Sequence, residues 1–562
     1  MADPSAHPVR AAWHGARAQL RRGWHILLTR GPSKFQFWLI ALLIGIAAGF
    51  AALLFRKGIE ALERLAYGTK DPTRLHTHII DLEWYWIILA PTLGGLLVGL
   101  VLNRYTSDGR ARSVSDVIEG AALRDGRVER RAGFASAIAA MITLGTGGSS
   151  GREGPVVHIA GLISGWVSRR INADGITGRD LLGCAVAAAV SASFNAPIAG
   201  ALFALEVILR HFAVHAFAPI VIASVAGTVI NRLEFGDVTE FVLPTATVLE
   251  FYAELPAFLL LGLVCGVVAT VLMRSIFFAE DMGDWIQNRL HLPRWLRPAI
   301  AGVALGVMAL GFPHIIGVGY ETTSAALTGK LVLHEAIVFA MLKVAAVSVT
   351  LGGRMGGGVF SPSLMLGALT GLAFGLIATA IFPEVSGAHT LYALAGMGAV
   401  AAAVLGAPIS TTLIVFELTG DWQTGLAVMV AVSTSTALAS RMVKRSFFLT
   451  QLARRGVHLA AGPHAYLLSI QSVKSLMRTP QHPKAAPEDA CWKLIEDGVY
   501  VDVGATLEAA MPIFDRAGVL YVPVVSLAGD GAAPELRGAL FHVDALKAHN
   551  RALAAVSEEE HS

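Results

Sequence analysis

The stretch GTGGSSGREGPVVHIA, Gly145 to Ala160, decides how this chain is read. Arg152 and Glu153 stand in a run of glycines, with apolar sequence on either side. Glycine lets a backbone approach a ligand closely, and a proline just inside a helix start, here Pro155, sacrifices no hydrogen bond. The stretch therefore reads as a helix N-terminus, where unpaired amides and the positive end of the helix dipole favour an anion. A phosphate-binding loop would need Gly-Lys-Ser/Thr after a strand, whereas Arg152-Glu153 follows Gly151. Close helix packing is the plainer reading of glycines in a membrane helix.

Composition supplies the membrane. Of the 562 residues, 54% are hydrophobic and 15% charged, against roughly 25% charged in soluble globular chains. Phe35–Phe55 and Trp84–Leu102 are apolar enough, and long enough, to cross about 30 Å of hydrocarbon. Later apolar segments, such as Pro298–Leu310, Leu364–Phe382 and Leu391–Leu405, are mixed with shorter pieces broken by Gly and Pro. Interrupted spans require protein or a water-filled cavity around them at membrane depth, the pattern of a conduit. Arg10, Arg17, Arg21, Arg22, Arg30 and Lys34 precede the first span, and Arg441, Lys444, Arg445, Arg454 and Arg455 follow the last. By the positive-inside rule both ends are expected in the cytoplasm; the membrane itself is expected to be a bacterial-type inner membrane. The net charge of +3 belongs to these flanks, so no nucleic-acid partner is expected. Cys184, Cys265 and Cys491 show no metal or redox spacing, and neither metal nor cofactor is expected.

The chain also repeats itself. CAVAAAV (Cys184–Val190) returns as GAVAAAV (Gly398–Val404), and NAPIAGALFALE (Asn195–Glu206) is echoed by GAPISTTLIVFE (Gly406–Glu417). The membrane region, 35–455, thus divides into related halves near 35–230 and 250–445, flanked by a basic segment, 1–34, and a tail, 456–562. The second half has its own glycine-dense break, LGGRMGGGVFSP, Leu351 to Pro362. Two such helix starts facing each other at mid-membrane would form an anion site from backbone alone.

GREGP (Gly151–Pro155) and GGGVFSP (Gly356–Pro362) resemble two signature motifs of the CLC family of chloride channels and chloride/proton antiporters. The resemblance extends over about 35–455. It implies an all-α polytopic membrane fold, an inverted repeat with broken helices, and a homodimer in the lipid bilayer with one anion pathway per subunit. It also implies that Glu153 is the gating glutamate, whose carboxylate occupies an anion position and leaves it when protonated or displaced. Gly151, Arg152 and Gly154 on one side, and Gly358, Val359 and Phe360 on the other, would line the anion sites. Independently of any resemblance, a carboxylate within the membrane is costly and marks function.

Three positions depart from the family pattern. The motif that supplies a serine hydroxyl falls on RARSVSDVIEG, Arg110 to Gly120, where one register puts Arg112 in the serine position and another puts Ser113 there. Ser113 is taken as the hydroxyl donor; simple capping of a polar helix start is the alternative. Phe448 stands where many members carry a tyrosine, leaving an aromatic wall without a hydroxyl. Val207 follows Glu206 where antiporters commonly place a proton-accepting glutamate, so a proton would need another route, such as Glu206 itself.

In the tail, Val499 to Asn550 reads strand, helix, strand, strand, helix. This small α/β cytoplasmic unit resembles a single cystathionine-β-synthase-type (CBS) domain, a family module that sometimes binds nucleotides, though no phosphate-binding signature stands out. The expected function is transport of chloride, channel-like or coupled to protons, by a protein that is not an enzyme. Another small anion, fluoride, nitrate or an organic one, is the alternative substrate. An intramembrane enzyme built on Glu153 and His158 would need a further catalytic cluster, which the sequence lacks.

Overall fold

The computed structural model describes residues 33–69, 71, 74–212, 214–236, 241–243, 254–384, 386, 388–457, 459, 466–526 and 534–561. The basic N-terminal segment lies outside these residues, apart from Ser33 and Lys34. The first half contains α1 (Lys34–Tyr67), α2 (Trp84–Tyr105), α3 (Val114–Leu123), α4 (Arg130–Gly145), α5 (Glu153–Arg170), α6 (Gly175–Phe194), α7 (Pro197–Phe203) and α8 (Val214–Phe235). The second contains α9 (Leu255–Arg289), α10 (Arg297–Gly311), α11 (Tyr320–Leu327), α12 (Leu333–Gly352), α13 (Phe360–Ile381), α14 (His389–Leu405), α15 (Pro408–Thr419), α16 (Trp422–Met442) and α17 (Phe447–Arg454). Among the described residues, seven helices are long and apolar enough to cross a membrane. Several others, α3, α7 and α15 among them, are too short to do so alone.

The repeated sequence has a structural cause. Alanine-rich α6 and α14 are good helix formers, apolar on all sides and almost wholly buried, which makes them the centre of each half. Each ends on a left-handed residue, Asn195 (φ 58°) and Gly406 (φ 70°), and the chain turns directly into a short helix with proline in its first turn. The copies differ after that. The first half continues α7 into a π-helix, Ala204–Leu209, before its left-handed cap at Arg210, while α15 stays regular to Gly420. The wider turn accommodates one residue more in the first half than in the second.

Small residues let the central helices approach closely. A Cβ on Gly371 of α13 would lie 2.1 Å from the carbonyl oxygen of Tyr392 in α14. Without aqueous hydrophobic drive between helices in lipid, such backbone-close packing is a principal source of association.

The tail follows the order read from sequence. A three-stranded sheet has β1 (Val501–Asp502) parallel to β2 (Tyr521–Ser526), and β2 antiparallel to β3 (Glu535–Phe541). Helix α18 (Leu507–Ala517) crosses from β1 to β2, and α19 (His542–His561) follows β3. Their apolar faces share a separate core that includes Val501, Leu507, Phe514, Val522 and Leu540. The unit packs on the membrane region. The Gly175 amide donates to the Gly504 carbonyl at 2.8 Å, and α18 touches α3.

Candidate functional site

Both glycine breaks are helix starts. Helix α5 begins at Glu153 and α13 at Phe360, and the loops ahead of them meet in a reciprocal backbone pair. The Gly151 amide donates to the Gly358 carbonyl at 2.7 Å, and the Gly358 amide to the Gly151 carbonyl at 2.8 Å. Reciprocal contacts are what a two-fold relation between related halves generates.

A second pair repeats that logic. The Glu206 carboxylate accepts from the amides of Ile409 (2.9 Å) and Ser410 (2.8 Å) and from the Ser410 hydroxyl (2.7 Å). Glu417, its copy, accepts from the amides of Ile198 (2.9 Å) and Ala199 (2.7 Å). Each half thus uses its glutamate to satisfy the free first-turn amides of the other half's short helix.

Glu153 is 2% exposed and its carboxylate lies across the start of α13. One oxygen accepts the Ser361 hydroxyl and the other accepts the Ser361 amide at 3.4 Å. Glycine at 151 makes the room, since a Cβ there would stand 2.6 Å from the second oxygen. The preceding residue, Arg152, is also buried. Its guanidinium donates to the Ser193 carbonyl at 3.1 Å and lies 5.2 Å from the centre of the Tyr320 ring.

Two cavities reach adjacent residues here. The narrow one, ≈ 60 Å³, is lined by Ser113, Glu153, Gly154, Gly358, Val359, Phe360 and Phe448, among others. The wide one, ≈ 740 Å³, is lined by Arg152 together with Glu63, His76, Tyr320 and Glu321, among others. Adjacent residues at the start of α5 thus face different cavities.

The sequence-derived candidates sort accordingly. Ser113, Gly154, Gly358, Val359, Phe360 and Phe448 share the narrow cavity with Glu153; Gly151 holds the backbone pair beside it, and Arg152 faces the other cavity. Arg112 is not in the narrow cavity's lining, and its side chain pairs with Asp108 (2.8 Å) and Glu129 (3.2 Å). The Ser113 amide donates to Asp116 at 2.8 Å, tying the start of α3. Glu206 is not brought to either cavity's lining; its carboxylate is the brace described above.

Two features escaped sequence reasoning. Ser361 stood in the quoted motif, unremarked, as a serine in a helix's first turn. An arginine group, Arg110, Arg297, Arg354 and Arg455, also lines the narrow cavity. Asp284 ties three of them, with Arg354 at 2.7 Å, Arg110 at 3.6 Å and Arg297 in direct contact. These residues come from α9, α10 and three loops, and no local pattern joins them.

Residues 94–440 match the family described as "Voltage gated chloride channel". A protein of Ralstonia nicotianae described as ClcB-like is 30% identical over 419 residues, covering 74% of this chain and 96% of that protein. Among solved structures, a slow cyanobacterial Cl⁻/H⁺ antiporter is similar with a TM-score of 0.66 at 20% identity, covering 75% of this chain and 98% of that one. A eukaryotic CLC transporter is similar with a TM-score of 0.65 at 17% identity, covering 90% of this chain and 97% of that one. At those identities the two structures speak for the fold.

Proposed function

The chain belongs to the voltage-gated chloride channel family, and from that premise we propose that it passes chloride through the narrow cavity with Glu153 as its gate. The position of the Glu153 carboxylate carries the reading: it lies at the start of α13, on donors that an anion would otherwise take. Helix starts α5 and α13 converge there, so backbone dipoles replace part of the ion's hydration shell without a fixed full charge that would hold it. The basic residues after α16 support a cytoplasmic tail. The tail packs beside α3, whose first residues line the narrow cavity, so this cavity is the inner mouth and the wide one the outer. Ser113 supplies a hydroxyl and Phe448 an aromatic wall on the inner side, and the arginines around Asp284 draw anions towards it.

Conduction in this reading is channel-like. Val207 is apolar and the Glu206 carboxylate is occupied as a brace, so neither offers an inner proton acceptor. A homodimer with one pathway per subunit completes the proposal.

Purified protein in liposomes, under combined chloride and pH gradients, tests it. A reversal potential that follows chloride alone carries the channel reading; a shift with the proton gradient replaces it with exchange. Glu153→Ala and Glu153→Gln are expected to conduct without the pH response of the parent. Unchanged flux and unchanged pH response in both would remove Glu153 from the mechanism.

A further inference from the structure

Ser361 is the second residue of α13, where the backbone amide is free by position and a side-chain hydroxyl commonly turns back to its own helix. Its neighbour Ser363 does so, donating to the Val359 carbonyl at 2.7 Å. The Ser361 hydroxyl goes instead to Glu153, 208 residues away in sequence. Ser361 is 3% exposed, and its hydroxyl and amide are donors to the two oxygens of one carboxylate. Phe360 beside it is held by the rings of Phe194 (4.6 Å) and Phe203 (5.7 Å), which fixes the first turn of α13 against the cavity wall.

We propose that the Ser361 side chain is a shared donor: it latches the Glu153 carboxylate while the gate is shut and turns to the anion when the carboxylate leaves. The inference rests on the reading of Glu153 as a gate. A hydroxyl has a single proton to give, so the two anions compete for it. The carboxylate is the stronger claimant, because its charge sits on a small oxygen tethered within reach, whereas chloride is larger and holds a hydrogen bond more loosely. A bond of this charge-assisted type, buried away from water, shifts an equilibrium by about ten-fold or more.

Removing the hydroxyl therefore has opposite consequences in two backgrounds. With Glu153 present, Ser361→Ala weakens the competitor about ten-fold, the low end of that range, and the ion about three-fold, so the apparent KM for chloride falls by about three-fold. With Glu153→Ala already made, only the ion loses a donor, and the same substitution raises KM by roughly three-fold, the share of a loosely held hydrogen bond.

The experiment is chloride-dependent flux in liposomes for the parent, Ser361→Ala, Glu153→Ala and the double variant. Chloride titration calorimetry on the same purified proteins supplies a readout independent of transport rate. A reversal of sign between backgrounds in both measurements supports the shared donor. Effects of equal sign in the two backgrounds, or no effect while Glu153 is present, overturn it. If Glu153→Ala itself leaves flux and pH response as in the parent, the gate has failed and the latch with it. A normal Glu153→Ala response with equal-sign Ser361→Ala effects refutes the latch alone.

Discussion

Replacing Glu508 by glutamine is expected to release the tail from the membrane region. The carboxylate, on α18, lies 3.2 Å from the Arg179 guanidinium on α6 and 3.5 Å from that of Arg210 at the end of the π-helix. The side chains of Glu508 and Arg179 are only 6% and 4% exposed, so solvent screens the pair weakly. At an effective dielectric constant of about 20, each attraction is worth about 5 kcal/mol, largely offset by the cost of drying three charges. Glutamine keeps the shape but removes the charge that holds buried Arg179 and half-buried Arg210 to α18. Losing one member of such a group typically costs about 3–5 kcal/mol, or a factor of roughly 10²–10³ or more in the docked population. Hydrogen exchange of the full-length protein reads this directly: segments 501–517 and 175–180 should lose protection together, while the tail's own β2–β3 pairing keeps its protection. The double variant Glu508→Met with Arg210→Met, which removes one charge of each sign, should recover part of the loss. Wild-type protection across both segments in Glu508→Gln would refute the triad as the clamp.

Two further outcomes follow from the same geometry. Glu417→Ala should destabilise the protein by roughly 3 kcal/mol, because it removes two amide-to-carboxylate bonds from the opposite half, and Glu206→Ala by somewhat more, because it removes two such bonds and the Ser410 hydroxyl's; a loss of stability in one variant alone, seen in thermal melts, would contradict the reciprocal brace. Burial, with Asp502 beside it, pushes the Asp125 carboxyl up to about 6; Asp174 adds to the rise, and Arg127 and Arg179 oppose it. A carboxyl raised in this way penalises the folded form most fully above pH 6, and the penalty fades as pH falls through 6 towards the ordinary value. Exchange at 501–517 should accordingly slow between pH 7 and pH 5 after correction for intrinsic rates, and faster exchange at pH 5 would refute it.

Much of the site was legible because its signals are local. A glycine run, a proline in the first turn and apolar flanks mark a helix start within a few residues, which is why α5 and α13 begin where GREGP and GGGVFSP place them. The match of Asn195-Ala-Pro to Gly406-Ala-Pro records a left-handed turn that only a few residue types enter easily. Ser113 and Phe448 were named from motif position, and both line the narrow cavity. Glu206 was named as a proton candidate from its neighbour Val207, yet its carboxylate sits on the amides of Ile409 and Ser410. Nothing in the local pattern distinguishes a glutamate that caps a distant helix from one that faces water.

From sequence alone came the membrane setting, the two related halves, the two helix starts and the order of elements in the tail. These rest on hydropathy, periodicity and backbone preference, which act over one or two helical turns. Only tertiary structure decided that Gly151 meets Gly358, that Ser361 holds Glu153, that four arginines share one cavity and that Glu508 seats the tail. Each of these contacts joins residues 200 or more positions apart, or several elements at once. Such contacts depend on which face each helix presents after packing, and small residues that allow close approach, as at Gly371, set that packing without specifying a partner.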